Sequence, residues 1–310
     1  MENVHGITAK EAKSDKQSNT DGGESRSEEE EEQIYQTGLV QGTELPERPG
    51  LEIPRVQATQ AHFEFSTSLE GVVMISIEDA RRLAAKGETA ESVFGNMLVT
   101  VTTTVHDEIL EKWYPEKEIQ LVLDFEPDFY VPCDRPVYRT DSKKERREII
   151  TRYLRDLKEI TKAIRNLSTE IIPLVKGELP RERKQCYRCF KGLGFDRFGY
   201  YCSQYFLYGN HGEELIQDVR QIVSEAQPRA MLLIGVQASS YLRRMPLEVT
   251  AAAGERWRRK SGLRNDSLSI QQVQRNYRDW SREIEKELEG GQSRLERFVT
   301  NTAEASIHGN

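Results

Sequence analysis

Long apolar runs are scarce in this sequence. No stretch reaches the ~18 uninterrupted apolar residues of a membrane span. The opening from Met1 to Thr20 is polar, so neither a membrane span nor a secretory leader is expected. Cysteines are few as well: Cys133, Cys186, Cys189 and Cys202. Without a leader, a disulfide framework is not expected, and an intracellular, cytoplasmic or nuclear setting is. Apolar residues make up only 37% of the chain and charged residues 31%, which argues against a packed core over the whole length. The chain has 5 histidines, three of them scattered at positions 5, 62 and 308, which leaves little for an imidazole-based site. The motifs G-x-x-x-x-G-K, G-x-S-x-G and H-E-x-x-H are absent, and the glycines at 192, 194 and 199 do not form G-x-G-x-x-G. A non-enzymatic protein is the expectation from these absences.

What the chain has is charge, unevenly placed. Residues 1–60 carry 13 acids against 6 bases, residues 61–136 carry 15 against 6, and residues 137–310 carry 23 acids against 32 bases. A basic half is therefore masked by an acidic half in the net charge of −7. The first 60 residues are rich in Ser, Gly, Glu and Lys and nearly free of aromatics, too polar to offset chain entropy by burial. They read as a disordered acidic tail, ending in a linker punctuated by Pro46, Pro49 and Pro54. Ser25 and Ser27 directly precede the run Glu28 to Glu32, a context for acid-directed phosphorylation.

Residues 61–136 read as a compact acidic unit. His62–Phe65 and Gly71–Ile75 suggest strands, and Ser76 with Asp79 has the spacing of a helix cap. Met97–Val105 is rich in β-branched residues and reads as a strand. Pro115 is expected to end a short helix, and Ile119–Phe125 to form a third strand.

Farther on, Ile150, Tyr153, Leu157, Ile160, Ile164, Leu167, Ile171 and Leu174 recur at alternating spacings of 3 and 4, the seam of a coiled coil or a long packed helix. Ser142 and Glu145 supply a capping box at its start. A second seam runs through Ile270, Val273, Tyr277, Trp280, Ile284 and Leu288. Segments 142–175 and 267–289 are therefore candidate protein-binding surfaces, with homo-oligomerisation expected if a seam is exposed. Between them, Glu213–Glu225 and Arg229–Leu242 read as two shorter helices.

Two clusters carry chemistry. Cys186-x-x-Cys189, Cys202 and His211 have the ligand types of a zinc knuckle, two thiolates from one turn and two ligands from a later loop. Nine aromatics lie between Cys186 and His211, so an aromatic core that happens to contain free cysteines would read the same way. Around them stand Arg181, Arg183, Lys184, Arg188, Lys191 and Arg197, and a second basic run is Arg256-Trp257-Arg258-Arg259-Lys260. Guanidinium groups bind phosphate and aromatic faces stack on bases, a combination suited to single-stranded nucleic acid. A helical surface of mixed charge is the plainer account of the same runs.

The stretch Gly71 to Arg81 resembles the strand-then-Asp-x-Arg element of plant-virus 30K movement proteins, and the acidic tail, helical seam and basic end resemble the layout of viral phosphoproteins. These readings predict an α+β fold, a small mixed β-sheet unit followed by a mainly helical domain. The expected divisions are 1–60 (acidic tail and linker), 61–136 (acidic α+β domain), 137–300 (basic helical domain with a zinc knuckle) and 301–310 (disordered end). The expected function is nucleic-acid association as a viral accessory or movement-type adaptor. The alternative is a protein–protein scaffold built on the helical seams and the acidic tail.

Overall fold

The computed structural model describes residues 50–289 apart from 68, 208 and 266. Residues 1–49 of the tail and linker expected over 1–60, Ser25 and Ser27 among them, and the end at 301–310 lie outside the described residues. Strands and helices alternate from the start. The first third holds β1 (Leu51–Val56), α1 (Gln60–Ser66), β2 (Val72–Ser76), α2 (Ile77–Ala84), α3 (Ala90–Phe94), β3 (Leu98–Thr102), α4 (Asp107–Leu110) and α5 (Pro115–Phe125). Then come β4 (Phe129–Val131), α6 (Lys143–Ile164), β5 (Glu170–Ile171), α7 (Pro180–Gly192), β6 (Arg197–Tyr201) and α8 (Gln204–Leu207). The last part holds α9 (Gly212–Ala226), β7 (Ala230–Ile234), α10 (Ser239–Leu242), β8 (Val249–Gly254), α11 (Arg256–Ser261) and α12 (Ile270–Leu288).

All eight strands form one sheet in the order β5-β4-β3-β2-β1-β8-β7-β6, with every pairing parallel. Its two edges meet. Just past β5, Leu174 bridges Gly199 of β6; Gly199 N–H donates to the Pro173 carbonyl (2.8 Å) and Val175 N–H to the Gly199 carbonyl (2.9 Å). Closure removes the exposed edges that an open sheet would offer to other chains. The strands approach closely here: a Cβ at Gly199 would stand 2.9 Å from Leu174 Cδ2, so that side chain would have to shift to admit it. The Arg197–Glu170 ion pair (3.1 Å) staples the same two strands. The result is a (β/α)8 barrel wrapped by helices.

This corrects the expected fold class. The chain does not build a small mixed sheet followed by a helical domain; one parallel sheet draws strands from both halves. The reason is that strands covered on both faces are continuous apolar runs without alternation, and short runs of that kind fit a buried helix equally well. Ala230–Ile234, expected inside a helix, is strand β7, buried along nearly all its length. Ile119–Phe125, expected as a strand, is helical, and Pro115 opens α5 at its first turn, where its missing N–H is harmless. His62–Phe65 lies in α1. The expected linker contains β1, a strand paired on both sides, with Pro54 opposite Gly254. A proline argues against a central strand, which is why that strand is hidden in the sequence.

Other local signals hold. Ser76 accepts from Asp79 N–H, and Ser142 with Glu145 forms the complete capping box of α6. The two seams bury Ile150, Tyr153, Leu157 and Ile160 on α6, and Val273, Tyr277, Ile284 and Leu288 on α12, within the single core, but the first is helical only to Ile164: Leu167 is exposed, Ile171 belongs to β5 and Leu174 to the barrel seam. Among the described residues no helix is long and apolar enough to cross a membrane.

Candidate active site

The C-terminal ends of the strands surround a cavity of about 780 Å³. In parallel barrels this face is built from the loops that follow the strands, which vary without disturbing the sheet. At its floor the chain leaves β4 through Cys133, which has φ 45°, a left-handed conformation unusual for a residue with a side chain. Two buried groups hold the turn. Cys133 N–H donates to Glu118 Oε2 (2.9 Å) and Asp134 N–H to Thr103 Oγ1 (2.8 Å). Tyr130 OH also donates to Glu118 Oε2 (2.6 Å). Burial pushes the Glu118 carboxyl up to about 6, against these hydrogen bonds.

The turn presents Asp134 to Lys176, which stands just past β5, and the two form an ion pair. Asp134 is 3% and Lys176 7% exposed, and both line the cavity. The Lys176 ammonium lies 5.8 Å from the centre of the Tyr153 ring, and the Tyr153 hydroxyl accepts from Leu174 N–H (2.8 Å), so the lysine arm is framed from behind.

Arg55, at the end of β1, reaches past β2 and donates through Nη2 to the Thr104 carbonyl (2.7 Å). On the far wall, the hydroxyls of Tyr200 and Tyr205 are 2.7 Å apart, and Tyr205 OH donates to Asp218. Burial pushes both phenols above their ordinary value. At the rim Arg139 binds Glu178 (2.9 Å) and Glu214 (2.7 Å). The arrangement offers a fixed carboxylate, a fixed ammonium and a guanidinium around one small-molecule-sized space.

Of the residues singled out from sequence, Arg256 lines this cavity and the others do not. Cys186 is buried on α7 with its thiol on the Lys176 carbonyl (3.5 Å), and burial pushes that thiol up to about 12. The Cys202 thiol is tied to the Tyr200 carbonyl (3.4 Å), Cys189 is half-buried, and His211 is exposed beside Glu214 (3.0 Å). Among the described residues no group of three or more His, Cys, Asp or Glu side chains is placed to hold a metal.

Arg183 is fully buried, bound to Gln221 (2.7 Å), Glu225 (3.3 Å) and the Glu178 carbonyl (3.1 Å). Arg197 is spent on Glu170 and Arg258 on Glu255 (2.9 Å). Trp257 is also fully buried, stacked on Phe65 at 4.1 Å, and its indole N–H donates to the Arg55 carbonyl (3.0 Å). Arg256, Arg259 and Lys260 are exposed on α11, on the β8 side; Arg181, Lys184, Arg188 and Lys191 are exposed on α7, between β5 and β6. These two basic groups are separated around the ring by β6, β7 and β8.

Sequence reasoning missed Asp134, Lys176 and Arg55. A signal was present: Lys176 directly follows the apolar run Ile171-Ile172-Pro173-Leu174-Val175, and Asp134 follows Phe129–Val131 by three positions. Once strands and helices are seen to alternate, charged residues just past each apolar run become the candidates. No protein-family model matches the chain, and no curated protein matches it in sequence.

Proposed function

We propose that this barrel is an enzyme that moves protons on a small polar substrate, with Asp134 and Lys176 as its acid–base pair. This departs from the binding protein expected from composition. One observation carries it: a carboxylate and an ammonium, both nearly removed from bulk water, meet where adjacent strands open into the cavity. Desolvating two charges costs several kcal/mol per ion, and a packed apolar pair would often stabilise as well or better. The left-handed Cys133 directly before Asp134 adds backbone strain at the same point. Buried charge and strain at one strand end mark a site retained for chemistry. In this reading Asp134 accepts a proton from the substrate, while the Lys176 ammonium stabilises the negative charge that develops and returns a proton.

The test is a screen of the full-length protein against small-molecule extracts in deuterated water, with Asp134→Asn and Lys176→Met as controls. Compounds that gain deuterium or change mass with the wild type alone support the reading. Equal conversion by the folded variants, or no conversion by the wild type, sinks it.

Nucleic-acid contact is a second reading, favoured by a separate observation. Arg181, Lys184, Arg188 and Lys191 are all exposed at spacings of 3, 4 and 3 along α7, which aligns them on one helix face. Filter binding of single-stranded RNA and DNA at two salt concentrations tests it, because phosphate contacts weaken steeply with salt. Binding that is absent or indifferent to salt removes it.

A further inference from the structure

The cations that line the mouth are unevenly committed. Arg82 pairs with Asp79 and Lys176 with Asp134. Among the described residues Arg55 and Arg256 form no ion pair, although both line the cavity. Acids that line the same cavity are already engaged: Glu78 accepts from the Trp113 indole (3.0 Å), Asp79 holds Ser76 and Arg82, and Glu255 holds Arg258.

Arg55 is half-buried and its position is fixed at two points. Its carbonyl accepts from Trp257, and its Nη2 donates to the Thr104 carbonyl. A guanidinium carries five N–H donors in a rigid fork, so those not spent on Thr104 remain free for a ligand. A half-desolvated cation of this kind is most stabilised by an anion presented bidentately. In the ring order β1 lies across the barrel from the β4–β5 pair that carries Asp134 and Lys176.

We infer that Arg55 anchors an oxyanion of the substrate, a carboxylate or a phosphate, so that the ligand spans the mouth with its anionic end at β1 and its reacting end at Lys176 and Asp134. Arg256, two residues past β8 and next to β1 in the sheet, supplies a second cation at the anionic end. This inference rests on the reading of the mouth as the substrate site.

Calorimetric titration of the full-length protein with inorganic phosphate, and separately with succinate, at constant ionic strength tests it; the two arms separate a phosphorylated from a carboxylated substrate. At least one anion should bind. Arg55→Gln should weaken it about tenfold or more, the usual range for a lost charge-assisted bond. Arg55→Lys, which keeps the charge and loses the fork, should fall between, and this second variant guards against a folding defect in the first. The double variant Asp134→Asn with Lys176→Met should weaken binding less than Arg55→Gln does, since it leaves the anchor intact. If neither anion binds, or if Arg55→Gln binds as well as wild type, the anchor is refuted. Binding that follows the Asp134 and Lys176 double variant instead also refutes the anchor, yet leaves the mouth as the site. Binding that follows Arg55 without any turnover in the metabolite screen keeps the anchor and removes the enzyme.

Discussion

Asp134 and Glu52 are both carboxylates buried in the same barrel, 3% and 2% exposed, yet they are solved differently. Asp134 has a cation for a partner and opens on a cavity. Glu52 accepts from two neutral donors, the Tyr277 hydroxyl of α12 and the Gln237 amide past β7. Burial pushes its carboxyl up to about 8, with the Tyr277 hydrogen bond opposing and the nearby Glu285 adding. The wall thus holds a carboxyl that stays largely protonated near neutral pH and clips β1 to α12, whereas the floor of the mouth holds an ion pair. Glu52 too borders a cavity, of about 840 Å³, so the two differ in their partners: Glu52 is held by neutral donors, whereas Asp134 keeps an ammonium beside it.

The largest effect is expected at Trp257, which packs against Tyr277, the donor to Glu52, and holds the carbonyl of Arg55. Trp257→Ala should cost about 3–5 kcal/mol in urea denaturation, the usual range for emptying a fully buried aromatic site. It removes the stack on Phe65 and frees the carbonyl of Arg55. A cost under about 1 kcal/mol would mean that the site collapses and the indole is no anchor. At the mouth, Lys176→Ala alone should cost about 3 kcal/mol, because it strands a buried carboxylate, while Asp134→Leu with Lys176→Met should recover most of that loss. If the double variant is as unstable as the single, the pair is there for stability and the contrast with Glu52 fails.

The wall carboxyl has a pH signature of its own. A carboxyl raised from 4.5 to about 8 on folding makes the native state hold a proton that the unfolded chain has lost. Its stability contribution is present below about 4.5 and is lost as pH rises through about 8. Glu118, raised to about 6, acts in the same direction at lower pH. His62 is lowered to about 4 by burial and by Arg258, so it works oppositely, destabilising as pH falls from 6.5. Between pH 6.5 and 8 the trend belongs to Glu52, and stability should fall by about 2 kcal/mol, given ~1.4 kcal/mol per unit. Glu52→Gln should flatten that slope; an unchanged slope in the variant would assign it to another group. The smallest effect is expected on the outer surface. Replacing Arg181, Lys184, Arg188 and Lys191 together with Gln should change stability by under about 0.5 kcal/mol per site, while any nucleic-acid binding should weaken and lose part of its salt slope.

Local signals in this chain were legible because they are local. The caps at Ser76 and Ser142, the seam of α12 and that of α6 as far as Ile164 are written in residues a few positions apart, and the structure realises them; past Ile164 the same spacing runs on into strand β5. The seams' destination was not legible, since a face that packs on its own barrel and a face that binds a partner have the same spacing. The alternation of strand and helix that would have revealed the barrel was obscured at particular places: by Pro54 inside β1, by an apolar β7 that reads as a helix, and by a β5 of only 2 residues.

The candidate site was less legible still. Asp134, Lys176 and Arg55 are separated by at least 42 positions in the chain, and no motif joins them. Conversely, Arg183 and Trp257 looked like nucleic-acid contacts by residue type and are core supports by burial. By itself the sequence determined charge distribution, helix starts and which helix faces are apolar, because these follow from neighbours within one or two turns. Which charges are exposed, which are paired and which remain free at the mouth was decided only by closing the ring. Closure brings strand ends from distant parts of the chain to one face, around one cavity.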